Sequence, residues 1–221
     1  PPHAGVIHPL NYARGLARAV RAAGANIFER SPVLSCRRQG ELHIVKTAGG
    51  EVAAKHLLLA TNGYSDISPA TAAIRGTVIP FRSAMIATES LDPGIRAKLM
   101  IRGRSYSETR RMMRWFRPVG DRMLFGGRGA FGKADSASAF HALEVALKQM
   151  FPQLKDVAIT HRWSGLVAMT MDSLPQVGML EERAGFALGY NGAGVALSSL
   201  MGARVVDMML GDTPELGLMR R

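Results

Sequence analysis

The segment with the clearest chemical capability is Gly189-Tyr190-Asn191-Gly192-Ala193-Gly194-Val195. A short apolar run precedes it and a long apolar helical run follows, so several backbone N–H groups converge where that helix starts. Such a point is electropositive and suits an anion, or a ring that gains negative charge. A glycine turn needed only for close packing explains the same residues, and the motif alone leaves both readings open. Some twenty residues earlier stand Trp163-Ser164-Gly165 and Met171-Asp172-Ser173-Leu174-Pro175-Gln176-Val177-Gly178. Asp172 on its own reads as a turn residue bonding local amides.

Other chemical signals are weaker. A literal G-x-G-x-x-G occurs at Gly127, Gly129 and Gly132. A pyrophosphate fingerprint needs a tight turn from a buried strand into a helix, closed by an acid after the next parallel strand. Here a hairpin strand precedes the glycines and Lys133-Ala134-Asp135 separates them from the following helix, so a loop is the better account. His3, His8, His43, His56, His141 and His161 show no metal-ligand spacing. Gly-x-Ser-x-Gly is absent, and Cys36 falls in a strand-like run without a nearby histidine, which leaves the familiar nucleophilic hydrolases unsupported.

The elements that must position these residues follow from periodicity. Residues 10–23 read as a helix opened by Pro9 and stopped at Gly24. Residues 25–29 read as a short strand. Residues 33–36 and 41–47 flank a Gln39-Gly40 turn, and Gly49-Gly50 turns the chain again, giving a small meander. The apolar run His56-Leu57-Leu58-Leu59-Ala60 suits a strand covered on both faces and stops at Thr61-Asn62-Gly63-Tyr64. A β-rich stretch follows at 77–88, then a short helix at 92–100. Strands at 112–116 and 122–125 pair across Pro118-Val119-Gly120-Asp121. Residues 136–150 form an amphipathic helix, 157–167, 176–179 and 185–190 are strand-like, and 195–210 is a helix apolar nearly all round, hence expected to be buried.

Composition bounds the function. The 221 residues carry 47% hydrophobic and 20% charged side chains, which excludes wholesale disorder. A single cysteine excludes a disulfide framework or a multi-cysteine metal site within the chain. The longest uncharged stretch, 184–203, has the length of a membrane span, but its five glycines and its change of period favour strand, turn and helix. The opening Pro1-Pro2-His3-Ala4-Gly5 lacks the basic and apolar regions of a signal peptide, and a cytoplasmic location is expected. Net charge is 28 − 17 = +11. Much of it lies between 102 and 128, including Arg110, Arg111, Arg114, Arg117 and Arg122, with Trp115 and Phe116 interleaved. A solvated or partner-covered face is the plainer account, a carboxylate clamp the next, and a nucleic-acid groove the least supported.

Taken together, the ordered segments resemble one family: FAD-dependent oxidoreductases of the D-amino-acid-oxidase type, including glycine, sarcosine and gamma-glutamylputrescine oxidases. The residues that carry the resemblance are Gly5-Val6-Ile7-His8-Pro9, the helix with Tyr12, Gly15 and Leu16, then Gly24-Ala25 and Val33. Leu57-Leu58-Leu59-Ala60-Thr61-Asn62-Gly63, Trp163-Ser164-Gly165, the 172–178 segment and the 189–194 loop complete the set.

The resemblance implies an α+β or α/β chain: a truncated FAD-binding domain (1–76), a mixed antiparallel β-sheet substrate domain (77–160) and a return to the FAD-binding domain (161–221). It implies that Val33 touches adenine through its backbone and that Ala60, Thr61, Asn62 and Gly63 border the pyrophosphate and ribitol. Gly165, Asp172 and Pro175 would shape the flavin pocket. Gly189, Tyr190, Asn191, Gly192, Ala193, Gly194 and Val195 would hold the pyrimidine end of the ring. With neither Cys nor His in Met169-Thr170-Met171, FAD is expected to be non-covalent.

Such a family opens with a Gly-rich strand–turn–helix for the ADP half of FAD. This chain has none, so it is expected to be a C-terminal portion, inactive by itself, weak in FAD binding and prone to self-association. Its substrate would be a small amine or amino acid, with Arg114, Trp115 and Tyr190 as candidate contacts. A cofactor-free interaction module and a basic nucleic-acid-binding fragment are the alternatives. Neither a nucleic-acid partner nor a membrane span is expected.

Overall fold

The computed structural model describes residues 5–65, 68–99, 102–109, 113–131 and 136–219, without the side chains of 128–131. Arg110, Arg111, Gly132 and the 133–135 linker, singled out in the sequence, lie outside the described residues. In chain order the elements are α1 (Pro9–Ala22), β1 (Val33–Gln39), β2 (Leu42–Thr47), β3 (Gly50–Ala54), β4 (Leu57–Leu59), β5 (Ile79–Thr88) and α2 (Pro93–Lys98). They continue with β6 (Tyr106–Ser107), β7 (Arg114–Val119), β8 (Arg122–Phe131), α3 (Ala137–Met150), β9 (Ile159–Met169), β10 (Gln176–Glu181), β11 (Ala184–Leu188) and α4 (Gly194–Met209). The chain divides into two compact units, Pro1–Ile79 with Ala168–Arg221, and Pro80–Val167. The second division falls inside β9, seven residues beyond the boundary expected after residue 160, because that strand runs unbroken from one unit into the other.

In the first unit, α1 starts where the His8 Nδ1 accepts the Asn11 amide at 3.3 Å, with Pro9 in the first turn. It stops at Gly24, whose φ of +88° is left-handed. The antiparallel meander β1-β2-β3 turns at Gly40, φ +61°. A second sheet has the order β10-β11-β4, with β4 parallel to β11. Its leucines explain why the run is wholly apolar. Leu59 belongs to a core with Ile74, Val78, Ala168 and Leu188, while Leu58, on the opposite face, packs against Val177, Met201 and Val205.

Two sequence expectations fail here. Residues 25–29 form no strand, because no described strand lies alongside to complete a ladder. The helix α4 is not buried all round. Only Met201 and Val205 on it are fully covered, by the β10–β11 face, whereas Val195 is 55% exposed and Val206 42%. Helix α1 has no buried residue at all, and Leu16 and Val20 remain exposed on the side opposite Arg14, Arg18 and Arg21. Phe28 is 72% exposed. The first unit therefore presents a large uncovered apolar surface, of the kind that marks a contact site.

The second unit is a five-stranded sheet of order β6-β7-β8-β5-β9. Partners across an antiparallel ladder share a face. Thus Ala84, Ile86 and Phe125 line one side and pack on Leu143, Ala146 and Leu147 of α3. Phe116 extends that core by stacking on Tyr106 at 5.3 Å and meeting Phe151 edge-on at 5.1 Å. Among the described residues no helix is long and apolar enough to cross a membrane.

Candidate functional site

The 189–195 loop is built by asparagines whose side chains are spent on backbone groups. Asn62 and Asn191 both adopt left-handed φ, +46° and +53°, a conformation asparagine tolerates better than most residues. Asn62 Oδ1 accepts the Gly189 N–H at 3.0 Å and so ties the turn after β4 to the loop after β11. Asn191 Oδ1 accepts the Thr170 N–H at 2.8 Å, and its Nδ2 donates to the Gly189 carbonyl at 2.6 Å and to Thr170 Oγ1 at 3.0 Å. Thr170 Oγ1 in turn donates to the Leu174 carbonyl at 2.9 Å. The Asn191 amide closes on the Ala168 carbonyl at 3.1 Å.

Glycine is required at two places in this loop. Gly189 has φ +74°, and a Cβ there would stand 2.5 Å from Thr170 Cγ2. Gly192 has φ +98° in open space. Gly194 is different: its φ is not left-handed, and a Cβ would meet the Tyr190 ring at 3.4 Å, a contact that small shifts can absorb.

The result is a helix start with open donors. Ala196 and Leu197 both donate to the Ala193 carbonyl, and Ala193 donates to Tyr190. The amides of Gly192, Gly194 and Val195 have no acceptor among the described residues, and no side chain caps α4. They lie at the positive end of a helix carrying the equivalent of about half an elementary charge there. Such an arrangement can hold an anionic oxygen or stabilise charge on a ring edge. With positive-φ glycines and free amides, the loop fits the electron-rich end of an isoalloxazine.

The remaining sequence candidates separate. The Tyr190 ring is 7% exposed and packs with Val177, Ala187, Met201 and Val205. Burial raises its phenol pKa, and the ring is core rather than a substrate contact. Ala60 is exposed, Thr61 Oγ1 bonds Ser65 Oγ at 2.8 Å, and Gly63 is buried in the same turn. Val33 lies in β1, where its carbonyl accepts Ser68 Oγ at 2.7 Å. Pro175 is buried, and Asp172 accepts the Leu174 amide at 3.2 Å as a local turn residue.

Gly165, Arg114 and Trp115 belong to the second unit. Arg114 pairs with Gly127 and Trp115 with Gly126, so adjacent residues of β7 point to opposite faces. Arg114 shares the α3 side, since a Cβ at Gly127 would meet Leu143 and Arg114 alike. Trp115 is on the other side, so the two cannot serve one ligand on one face of the sheet. Sequence reasoning missed Thr170, which fastens the loop. Its only signal was a polar residue between two methionines. Among the described residues no group of three metal-ligating side chains exists.

Comparison with known proteins places this geometry among relatives. A family model described as FAD dependent oxidoreductase (DAO) matches residues 2–208. The chain is 36% identical to a probable oxidoreductase OrdL of Haemophilus influenzae, over 98% of this chain and 50% of that protein. It is 31% identical to the gamma-glutamylputrescine oxidoreductase of Escherichia coli, over 94% and 49%. Its fold is similar to glycine oxidase from Geobacillus kaustophilus, with TM-score 0.74, 24% identity and coverage of 93% and 55%. L-proline dehydrogenase from P. horikoshii also scores 0.74, at 21% identity over 93% and 56%. The chain spans about half the length of the curated relatives it matches.

Proposed function

We propose that this chain, which belongs to the DAO family of FAD-dependent oxidoreductases, is the flavin-edge and substrate-recognising half of an enzyme that oxidises a small amine or amino acid. FAD, when bound, supplies the hydride acceptor for the carbon that bears the amine. The observation that carries the reading is the trio of open amides at Gly192, Gly194 and Val195, at the start of α4. These groups would hold the pyrimidine end of the ring and favour negative charge there without reorganising, because Asn191, Thr170 and Asn62 already fix the loop. Thr170 is flanked by Met169 and Met171, none of which is a nucleophile that attaches flavin, so binding would be non-covalent.

The uncovered apolar side chains of α1, α4 and Phe28 support a second part of the proposal: the remainder of the enzyme, with its dinucleotide-binding unit, covers them. Named relatives act on glycine and gamma-glutamylputrescine, which keeps the substrate class at small amines and amino acids.

Anaerobic mixing of the flavin-loaded enzyme with amino acids, N-methyl amino acids and polyamine derivatives tests the function. At least one should bleach the oxidised flavin band. Bleaching by a nicotinamide cofactor alone refutes the substrate class. A chain that takes up no flavin beside its dinucleotide-binding half would instead be an interaction module.

A further inference from the structure

We propose that the cavity between the β1–β2 meander and the β10–β11–β4 sheet binds a small neutral molecule with an apolar body and one hydroxyl donor, such as a phenol, and that His43 receives that hydroxyl. The cavity lies wholly within the first unit and measures about 260 Å³. It borders the starts of β4 and β11, where Leu57 pairs with Ala184, whereas the 189–195 loop follows the end of β11. The inference therefore does not depend on the amine-oxidising reading.

Arg38 pairs with His43 across the β1–β2 ladder and Cys36 is two residues along β1, so the three share one face of the meander. His43 is 3% exposed and lines the cavity. Yet among the described residues neither of its ring nitrogens has a hydrogen bond, and Nδ1 stops 3.7 Å from Glu181 Oε1. Buried polar groups are normally satisfied, so an imidazole left open on a cavity marks a place for an outside partner.

Its neighbours set the chemistry of that partner. Arg38 holds Glu181, with guanidinium nitrogens 3.5 Å from Glu181 Oε2 and from Glu182 Oε2, and its Nε donates to the Gly40 carbonyl at 3.0 Å. The carboxylate beside Nδ1 favours a proton on that nitrogen and leaves Nε2 as an acceptor. An acceptor calls for a donor such as a hydroxyl. Glu181 repels a carboxylate, and Arg38 offsets its pull on a cation. Burial raises the Cys36 pKa, so this residue offers a neutral S–H and no activated nucleophile. Leu57, Leu59, Leu180 and Ala73 make much of the remaining wall apolar. Pockets for drug-sized ligands begin near about 300 Å³, so the occupant is smaller than these, of the order of one ring.

Phenol, toluene and sodium benzoate, which share one ring, test this on the 221-residue chain at mildly alkaline pH. With isotope-labelled histidine, the Nε2 resonance of His43 is assigned by its loss in His43→Phe or His43→Gln. It should move saturably with phenol and stay put with toluene and benzoate. Cys36 is the sole cysteine, so its alkylation by iodoacetamide reads the same cavity. Phenol should slow it, and toluene should need about three- to ten-fold more for the same effect, the equivalent of one hydrogen bond. Ala73→Leu, which narrows the cavity and leaves His43 in place, should abolish both responses. A His43 resonance blind to phenol means that water alone fills the cavity and overturns the proposal. Equal protection by toluene and phenol, protection by benzoate, or a full response in a folded Ala73→Leu chain overturns it as well.

Discussion

Replacing Asn191 by alanine removes the side chain that holds the loop to Thr170. The Thr170 N–H, on a residue 6% exposed, loses its acceptor, and the carbonyl of buried Gly189 loses its donor. Each orphaned buried group costs about 1–3 kcal/mol, and partial access of water at half-buried Asn191 favours the lower half, about 2–4 kcal/mol for both. Alanine must also adopt φ +53°, which adds about 1 kcal/mol that glycine avoids. Asn191→Gly should therefore be more stable than Asn191→Ala by about that 1 kcal/mol while lacking the same bonds. Asn191→Asp keeps the acceptor for Thr170 but sets a carboxylate oxygen against the Gly189 carbonyl. Its carboxyl pKa should be raised in the folded state, because only the protonated acid can donate there. A raised carboxyl contributes stability below its unfolded pKa and loses it as pH rises, so the deficit of this variant should shrink on acidification. Urea unfolding must be followed by far-UV circular dichroism, since both tryptophans, Trp115 and Trp163, lie in the other unit. An Asn191→Ala cost below about 1 kcal/mol, or equal stability of the alanine and glycine variants, would refute this account of the loop.

Gly189→Ala combines a left-handed φ with a 2.5 Å approach to Thr170 Cγ2, and should cost more than Gly192→Ala, where only the φ is wrong; denaturation midpoints of the two rank them. Gly194→Val should lower flavin occupancy more than stability, through bulk beside the open amides rather than through dihedral strain, and full occupancy in the purified variant removes the loop from the cofactor site. The Glu144 carboxyl is held below its ordinary value first by the Lys148 hydrogen bond, with Lys148 charge and Arg162 adding to it and burial opposing. A depressed carboxyl contributes stability above its unfolded pKa and loses it as pH falls through the folded value, so Glu144→Gln should flatten the acid side of the stability profile by about 0.2–1 kcal/mol per pair lost. The 221-residue chain alone should bind FAD weakly and self-associate through α1 and α4; a monomer with submicromolar affinity in equilibrium dialysis and light scattering contradicts both expectations.

Local chemistry made much of the fold legible. The start of α1 at Pro9, its stop at Gly24 and the turn at Gly40 depend on φ preferences and capping within a few residues, which a sequence carries directly. The apolar character of Leu57-Leu58-Leu59 likewise announced a strand with a core on each side. Composition also excluded a disulfide within these 221 residues, because they hold a single cysteine.

Tertiary structure decided everything that depends on a partner distant in the chain. Residues 25–29 have strand-like composition, but a strand exists only with a ladder beside it. Apolar periodicity around α4 could not say which side would be covered, since burial is set by what packs there and not by the helix itself. The same holds for the site. The glycines and asparagines of 189–195 were conspicuous, whereas the Asn62 and Thr170 bonds that use up their polar groups span 127 and 21 residues of sequence. Tyr190 looked available until its neighbours enclosed it. Alternation along the strand could not decide which of Arg114 and Trp115 points to which face, and only the ladder with β8 and the packing of α3 assigned them.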